Sequence, residues 1–187
     1  MKKYIMKIIK KFFNDCILFK KDIHLDKRGT FTESFNENVF KKITKVNFKC
    51  KQINYIISKK NSLRGLHLQK NKHAQEKILR VIEGNILDVV VDVRKKSKYF
   101  GKYKLIKLSS AENHQIYIPS GFAHGYLTLS KIAKVEYLCS DFYNKASEIS
   151  IKWNDKNLAI KWPIKKKYYI SKKDSNAISF NDFSLNL

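Results

Sequence analysis

The stretch Leu63-Arg64-Gly65-Leu66-His67-Leu68-Gln69 places a cation, a glycine and an imidazole within one short, largely apolar run. Such a run predicts a buried β-strand. Arginine presents a planar fork of donors that suits phosphate oxygens, and histidine exchanges a proton near neutral pH. We therefore interpret this strand as the floor of an active site. The alternative is a structural role for His67, because a single histidine on an apolar strand is more often a hydrogen-bonded core residue than a catalyst.

Similar short strands are predicted around this run, at Phe48–Ser58, Glu76–Ile82, Ile86–Val93, Tyr103–Leu108, His114–Ile118, Gly121–Leu129 and Ala133–Cys139. Gly84-Asn85 predicts a tight hairpin turn between the second and third of these strands. A short surface helix is predicted over residues 36–46, where Val39, Phe40 and Ile43 recur at helical spacing. Short, evenly spaced strands with no long helical pattern between them predict an all-β sandwich or barrel of the jelly-roll kind.

The length of 187 residues suits a single domain with its own core. Residues 141–187 have a less regular pattern, and Trp153 and Trp162 are expected to pack this segment against the barrel. The three cysteines are an odd number without a Cys-x-x-Cys spacing. This favours reduced thiols in a cytoplasmic protein over a disulfide framework or a zinc site.

The formal charge of +23 raises the question of an anionic partner, which could be nucleic acid, a membrane surface or a small ligand. The lysines are spread along the chain without an arginine-rich tract or an RNA-binding signature, so we expect a solvated lysine surface and no nucleic acid. Lysines interrupt the apolar N-terminal stretch, and no run approaches the roughly 18 apolar residues of a membrane span. We expect no membrane insertion and no export, and weak association with anionic lipid stays open.

Period-two alternation sorts the candidate site residues by face. Lys77 shares a face with the apolar Leu79. A buried lysine is costly unless it is paired or functional, and Asp88 on the following strand is its expected partner. His124 and Tyr137 are assigned to inward faces in the same way. A pocket with histidine, lysine and tyrosine would contain a base, a cation and an acid.

Arg64 and His67 conflict with this alternation. They are three residues apart, so a regular strand would turn them to opposite faces. Gly65 lies between them and is able to host a bulge or bend. We therefore expect such an irregularity at Gly65 if both side chains belong to the site.

The segment Thr30–Phe35 also alternates, which places Phe31, Glu33 and Phe35 on one face of a predicted strand. A carboxylate between two aromatic rings could hold a flat heterocycle. The alternative is an edge strand with Glu33 in solvent.

Several motifs along the chain carry a family resemblance: Arg28-Gly-x-Phe-x-Glu-x-Phe35, Gln52-x-Asn54, Arg64-Gly-Leu-His67-x-Gln69, Gln75-x-Lys77, Ile118-Pro-x-Gly-Phe-Ala-His124-Gly125, Glu136-Tyr137 and Ser171-x-x-Asp174. Together they resemble the dTDP-4-dehydrorhamnose 3,5-epimerase family of cupins, and the resemblance runs from about Cys16 to about Asp174. The resemblance implies a cupin jelly roll with a few short peripheral helices, and a homodimer with strands exchanged at the interface. It also implies epimerisation, without a cofactor, of a nucleotide-linked 4-keto-6-deoxyhexose at C3 and C5.

The resemblance also implies a role for each matching residue. His67 would be the base and Asp174 the carboxylate that orients it. Lys77 would stabilise the enolate, and Tyr137 would be the acid that returns the proton. The substrate would be held by Gln52, Asn54, Arg64, His124 and Tyr143, with Arg28, Phe31 and Glu33 closing the nucleotide site from the partner subunit.

We expect no metal in this site. Many cupins hold a metal with a His-x-His pair, but Gln69 occupies the second position here, and an amide is a poor ligand. His67 and His124 alone do not reach the ligand number of a catalytic site.

One departure from the family leaves the exact reaction open. Ile56 stands where the family commonly has a serine. The alternatives are a C3-only or C5-only epimerase, a ketoisomerase acting on a related sugar, and a non-catalytic cupin that binds sugar nucleotides. The joint presence of His67, Lys77, Tyr137 and Asp174 argues against the last, because a binding module needs no acid and base in one pocket.

Overall fold

The structure is a computed structural model that describes residues 6–164 and 167–186. Its strands are β1 (Met6–Phe12), β2 (Cys16–Lys21), β3 (His24–Asp26), β4 (Gly29–Phe31), β5 (Gln52–Lys59), β6 (Leu63–Gln69), β7 (Lys77–Glu83), β8 (Asn85–Asp92), β9 (Tyr103–Ser109), β10 (His114–Ile118), β11 (Phe122–Thr128), β12 (Ile132–Cys139) and β13 (Glu148–Ser150). Its helices are α1 (Glu37–Thr44), α2 (Lys172–Ser175) and α3 (Phe180–Leu185).

Two antiparallel sheets make up the body of the fold. One has the strand order β1-β2-β10-β7-β12-β5, the other has the order β13-β6-β11-β8-β9, and β3 and β4 form a separate hairpin. Strands that are distant in sequence lie side by side, as in a jelly roll. The all-β prediction with a few short helices is confirmed, and the predicted helix over residues 36–46 is α1.

The predicted hairpin at Gly84-Asn85 is wrong. β7 pairs with β10 and β12, whereas β8 pairs with β9 and β11 in the other sheet. The chain crosses from one sheet to the other at Gly84, whose φ of +81° suits a glycine. Turn residues mark where a chain reverses direction, but they do not decide which strands pair.

The strand predicted over Thr30–Phe35 is also too long, because β4 ends at Phe31. Phe35 leaves the hairpin and packs against Phe40 and Phe48 beside α1. Glu33 accepts a hydrogen bond from the buried Lys21 Nζ at 3.4 Å. Phe31, Glu33 and Phe35 therefore do not share one strand face, since burial of Phe35 outweighs continued alternation.

Alternate residues of both sheets fill the space between them. Leu79, Val90, Tyr126 and Val135 belong to one buried cluster, with Tyr137 packed against it. The inward faces assigned by period two to β7 and β12 are therefore confirmed. A second cluster holds the C-terminal segment to the outside of the smaller sheet, through Leu158, Ile160, Phe180, Phe183 and Trp162.

The bulge expected at Gly65 is present. Arg64 is opposite Tyr126 and His67 is opposite His124, so three steps along β6 match two steps along β11. Gly65 has a φ of +116°. The extra residue turns Arg64 and His67 to the same side of the strand.

Within the two ranges that the structure describes, no helix is long and apolar enough to span a bilayer.

Gly65→Ala is expected to destabilise the fold more than Gly29→Ala. The two glycines have φ values of +116° and +124°, so alanine is strained at either by about 1–2 kcal/mol. A Cβ at residue 65 would also lie 2.6 Å from Gly125 Cα, whereas nothing lies within 4 Å of a Cβ at residue 29. Such crowding lowers the free energy of unfolding by a further ~1–3 kcal/mol. Urea unfolding measures the difference, and equal losses in the two variants would contradict the close contact.

Candidate active site

A cavity of about 740 Å³ lies between the two sheets. Its walls come from β5, β7 and β12 of the larger sheet, from β6 and β11 of the smaller one, and from residues 169–174. Most of the predicted site residues line it: Gln52, Asn54, Arg64, His67, Lys77, His124, Tyr137, Tyr143 and Asp174. The fold thus brings together residues that are more than 100 positions apart in sequence.

His67 and Asp174 form a hydrogen-bonded pair in this cavity. His67 Nε2 lies 2.6 Å from Asp174 Oδ1. A carboxylate only accepts hydrogen bonds, so Nε2 carries the hydrogen and donates it, and the neutral imidazole has its lone pair on Nδ1. His67 is partly exposed to the cavity, whereas Asp174 is buried. This arrangement makes the imidazole an oriented base.

The backbone around Asp174 holds its carboxylate in place. Ser171 caps α2 and accepts a hydrogen bond from Asp174 N at 3.1 Å. Gly65 N, at the bulge, donates to Asp174 Oδ2 at 3.2 Å. Burial alone would raise the pKa of the Asp174 carboxyl, but the contact with His67 and the Gly65 N–H outweigh burial and lower it. Asp174 is therefore a carboxylate at neutral pH.

Lys77 and Tyr137 lie on the neighbouring strands β7 and β12. Lys77 Nζ is 5.7 Å from the centre of the Tyr137 ring. Burial lowers the pKa of Lys77, partly offset by Cys139, Glu148 and Asp88. Burial also raises the pKa of Tyr137 to about 12, so the phenol keeps its proton at neutral pH. A lysine amine and a phenolic proton donor therefore lie side by side in a poorly hydrated wall.

The expected pairing of Lys77 with Asp88 is wrong. Asp88 Oδ2 instead lies 2.7 Å from His124 Nε2, and both side chains are buried. β7 and β8 are consecutive in the chain but belong to different sheets, so Asp88 lies beside β11 and not beside β7. The site consequently contains a second histidine–carboxylate pair, which holds the His124 ring.

Arg64 is oriented by a residue that the sequence analysis did not assign to the site. Its Nε donates to Ser58 Oγ at 3.0 Å, and Ser58 Oγ lies 3.3 Å from Tyr126 Oη. Ser58 shares the inward face of β5 with Gln52 and Asn54, so period-two spacing was the signal that could have found it. Ile56 lies on the same face and lines the cavity.

Two glutamines attach a loop to the rim of the cavity. Gln52 Oε1 accepts from Tyr143 N at 2.8 Å. Gln69 Nε2 donates to His73 O at 2.8 Å and to Phe142 O at 3.2 Å, and its Oε1 accepts from Asn144 N at 2.6 Å. The amide of Gln69 is thus fully used in holding the loop.

Glu148 and Lys173 also line the cavity, although the sequence analysis did not single them out. Glu148 Oε1 accepts from Lys173 Nζ at 2.7 Å, and its Oε2 accepts from Tyr143 Oη at 3.0 Å. Burial would raise the pKa of Glu148, but the hydrogen bonds from Lys173 and Tyr143 lower it. Lys173 lies within the Ser171-x-x-Asp174 motif, which was the available signal.

Three predicted residues do not line this cavity. Arg28 is on the β3–β4 hairpin, where its side chain is 90% exposed and ion-paired with Asp26 at 2.7 Å. Phe31 is 55% exposed on the same hairpin, and Glu33 contacts Lys21. Within one chain, these residues lie apart from the site.

Among the side chains that the structure describes, no group of three or more histidine, cysteine, aspartate or glutamate residues is placed to hold a metal ion. The expectation of a metal-free site stays a prediction.

A jelly roll whose cavity contains an oriented histidine, a buried lysine and a protonated tyrosine fits the class of cupin-type isomerases, because these are the groups that acid–base chemistry needs. The comparison with known protein families agrees with this class, because the family described as dTDP-4-dehydrorhamnose 3,5-epimerase matches residues 10–182. The chain belongs to this family.

Relatives of this chain carry the same description. The dTDP-4-dehydrorhamnose 3,5-epimerase of Shigella flexneri is 40% identical over 177 residues, which cover 95% of this chain and 97% of the relative. The epimerase from Elizabethkingia anophelis NUHP1, whose crystal structure is known, is 44% identical. The match has a TM-score of 0.89 and covers 95% of this chain and 97% of that chain. The dTDP-6-deoxy-D-glucose-3,5-epimerase of Legionella pneumophila, solved in complex with dTDP-4-keto-L-rhamnose, is 37% identical. That match has a TM-score of 0.91 and covers 95% of this chain and 94% of that chain.

Asp174→Asn is expected to cost about 1–3 kcal/mol of unfolding free energy at pH 7, because it removes a buried, hydrogen-bonded charge. The pKa of Asp174 is lowered by folding. Its charge therefore stabilises the fold above the unfolded pKa of about 4, and this contribution is lost as the pH falls through the lowered pKa. Urea unfolding at several pH values should show the difference from wild type shrinking in acid.

The control for this prediction is Asp22→Asn, at an exposed position, which should leave stability nearly unchanged. A deficit in Asp174→Asn that is the same in acid and at neutral pH would contradict the assignment of a stabilising carboxylate.

Proposed function

We propose that this chain catalyses the 3,5-epimerisation of a dTDP-linked 4-keto-6-deoxyhexose, from dTDP-4-dehydro-6-deoxyglucose to dTDP-4-dehydrorhamnose, without a cofactor. The observation that carries this proposal is the convergence of the His67–Asp174 pair, Lys77 and Tyr137 on one cavity. A volume of about 740 Å³ suits a ligand of this size. The nucleotide sugar bound by the Legionella relative supports the choice of substrate.

His67 is the base in this proposal. The hydrogens on C3 and C5 flank the C4 ketone, so losing either leaves an enolate with its charge spread onto the ketone oxygen. Nδ1 takes the proton, while Asp174 accepts the Nε2 hydrogen bond and stabilises the imidazolium that forms. The contact of 2.6 Å keeps the ring in one orientation before and after it takes the proton.

Lys77 stabilises the enolate. Its side chain is buried in the cavity wall, which lowers its pKa. As an ammonium in this poorly hydrated position it interacts strongly with a nearby anion. Such stabilisation in a water-excluded site is worth several kcal/mol, on the order of 3. The cation thus acts when charge develops on the ketone oxygen.

Tyr137 returns a proton to the opposite face of the sugar carbon. Its pKa of about 12 means that the phenol is protonated when the enolate forms. The phenolate and the imidazolium then exchange protons with solvent, so the cycle has no net proton change. Each configuration is inverted because the base and the acid lie on different faces of the substrate.

The remaining cavity residues bind the substrate. Arg64, held by Ser58, offers its free guanidinium nitrogens to the diphosphate. Lys173 supplies a second cation at the same rim, where Glu148 orients it. Gln52, Asn54 and Tyr143 contact the sugar nucleotide from β5 and its attached loop, and His124 lines the sugar subsite.

The proposal includes a homodimer. β5 ends the larger sheet, and its outward side chains Ile53, Tyr55 and Ile57 are 60%, 54% and 58% exposed. A row of large apolar residues on an edge strand invites pairing with another chain. In a dimer, the β3–β4 hairpin would bring Arg28 and Phe31 to the nucleotide site of the partner, which accounts for their distance from their own cavity.

Incubation of the protein with dTDP-4-dehydro-6-deoxyglucose in deuterated water tests the reaction. We expect NMR to show deuterium at both C3 and C5 of the sugar, because each epimerisation exchanges a carbon-bound proton. Deuterium at one position only would indicate a mono-epimerase. No deuterium at either position would contradict the proposal.

Two variants test the assigned roles in the deuterium experiment, and a third is the control. His67→Ala should reduce exchange at both carbons by about a hundredfold or more. Tyr137→Phe should still exchange deuterium but lose inversion, because the base acts before the acid. His114→Ala, on β10 and outside the cavity, should behave as wild type, and normal turnover by His67→Ala would overturn the assignment of the base.

The double variant Tyr55→Lys, Ile57→Lys is expected to be monomeric, because two charges would replace the apolar row on β5. Ile9→Lys is the matched control, since Ile9 is 44% exposed on β1 at the opposite edge of the same sheet. Sedimentation velocity measures the mass. A wild-type monomer, or an unchanged dimer in the double variant, would contradict the interface.

A further inference from the structure

A second cavity, of about 620 Å³, lies between the β1–β2 turn, the turn before β9 and the segment around Asn157. It shares no lining residue with the candidate active site. Its walls come from Lys10–Asn14, from Tyr99, from Gly101–Lys104 and from Asn157 and Leu158. The acid–base mechanism proposed above makes no use of this second cavity.

Four lysines surround the second cavity: Lys10, Lys11, Lys102 and Lys104. Its described lining contains no acidic residue, and none of the four makes an ion pair with a carboxylate in the described ranges. Asp15, the last residue of the β1–β2 turn, does not line the cavity and is ion-paired with Arg94 at 2.5 Å. Like charges around a concave surface concentrate the positive potential, which favours a ligand with several negative charges.

The floor of the second cavity is apolar and aromatic. Phe13 and Leu158 are buried, and the centres of the Phe13 and Tyr99 rings are 5.3 Å apart. Phe12 and Tyr103 are partly buried at its sides. Phe13 itself packs in the core against Tyr99 and Phe122. The ring surface open to a ligand is therefore that of the partly buried Phe12, Tyr99 and Tyr103, and a flat base can stack on such rings. A multiply charged anion without a ring would leave this part of the cavity unused.

The walls of the second cavity are fixed by backbone hydrogen bonds. Gly101 N donates to Asp92 O at 2.8 Å, and Lys102 N donates to Tyr99 O at 2.8 Å. Lys102 and Lys104 are two residues apart, so at the start of β9 they extend to the same side. Two of the four cations are thereby presented side by side at the start of β9, which lowers the cost of ordering them around a diphosphate.

We propose that the second cavity is a binding site for a nucleoside diphosphate. The lysines would bind the two phosphates as point charges, and the base would stack on the aromatic floor. This site goes beyond the proposed epimerase activity and is separate from it, because its residues do not reach the His67 cavity.

Calorimetric titration of the full chain with dTDP tests this proposal. Wild type is expected to bind two dTDP molecules per chain, and Lys102→Glu, Lys104→Glu is expected to bind one. Lys41→Glu, Lys42→Glu on α1 carries the same change of charge away from both cavities and should still bind two. One site per chain in wild type, or two in the Lys102/Lys104 variant, would overturn the proposal.

Inorganic pyrophosphate separates the contribution of the ring from that of the charge. In the variant Arg64→Ala, which weakens the active site, dTDP should bind the second cavity about tenfold or more tighter than pyrophosphate. Equal affinities would overturn the nucleoside part of the proposal. The amide NMR signals of Asn14, Gly101 and Asn157 should shift with dTDP, and shifts confined to the His67 cavity would also overturn it.

Turnover by the variant with both Lys102 and Lys104 changed to glutamate separates a failure of this proposal from a failure of the proposed epimerase function. Lys102→Glu, Lys104→Glu should turn over the 4-keto sugar as wild type does, because neither lysine lines the active site. If the fold does not tolerate this variant, Lys11→Ala provides a milder change that should weaken dTDP binding at the second cavity alone. An unchanged second-site affinity in Lys11→Ala would contradict the role of the lysines.

Discussion

The candidate active site depends on the close approach of two backbones, at Gly65 on β6 and Gly125 on β11. A side chain on either glycine would meet the opposite strand at 2.6 Å. This approach accommodates the bulge that turns Arg64 and His67 to the same cavity. The bulge also aims Gly65 N at Asp174, so one carboxylate binds both the strand irregularity and the imidazole. The proposed base, its carboxylate partner and the proposed phosphate-binding cation therefore share one local backbone constraint.

Burial acts on the two other chemical groups in ways that suit their proposed roles. It lowers the pKa of Lys77 and raises that of Tyr137, since a poorly hydrated wall disfavours charge on either side chain. The phenol is thereby kept as a proton donor. The charged form of Lys77 is stabilised most when an anion forms beside it. Glu148 is the counterexample in the same cavity, because Lys173 and Tyr143 outweigh its burial and keep it ionised.

Alternation and spacing predicted most of the strands and the inward faces of β7 and β12, because one face of each strand is buried and the side-chain period is two. The wrong predictions have a common cause, which is that the sequence does not show which strands pair. Gly84 is a corner between sheets and not a hairpin, so Asp88 lies beside His124 and away from Lys77. Ser58 was missed although it shares a face with Gln52, because its function is to hold Arg64 and that contact spans two sheets.

The sequence by itself determined the all-β class, the bulge position at Gly65 and the residue types of an acid–base site. These features follow from local rules: the period of a strand, the conformational freedom of glycine and the chemistry of single side chains. Only the tertiary structure decided which groups meet where the sequence indicated no such pairing, including Asp88 with His124 and Gln69 with the loop at Asn144. The physical reason is that contacts between distant segments depend on strand order and register, which are set by packing of the whole barrel.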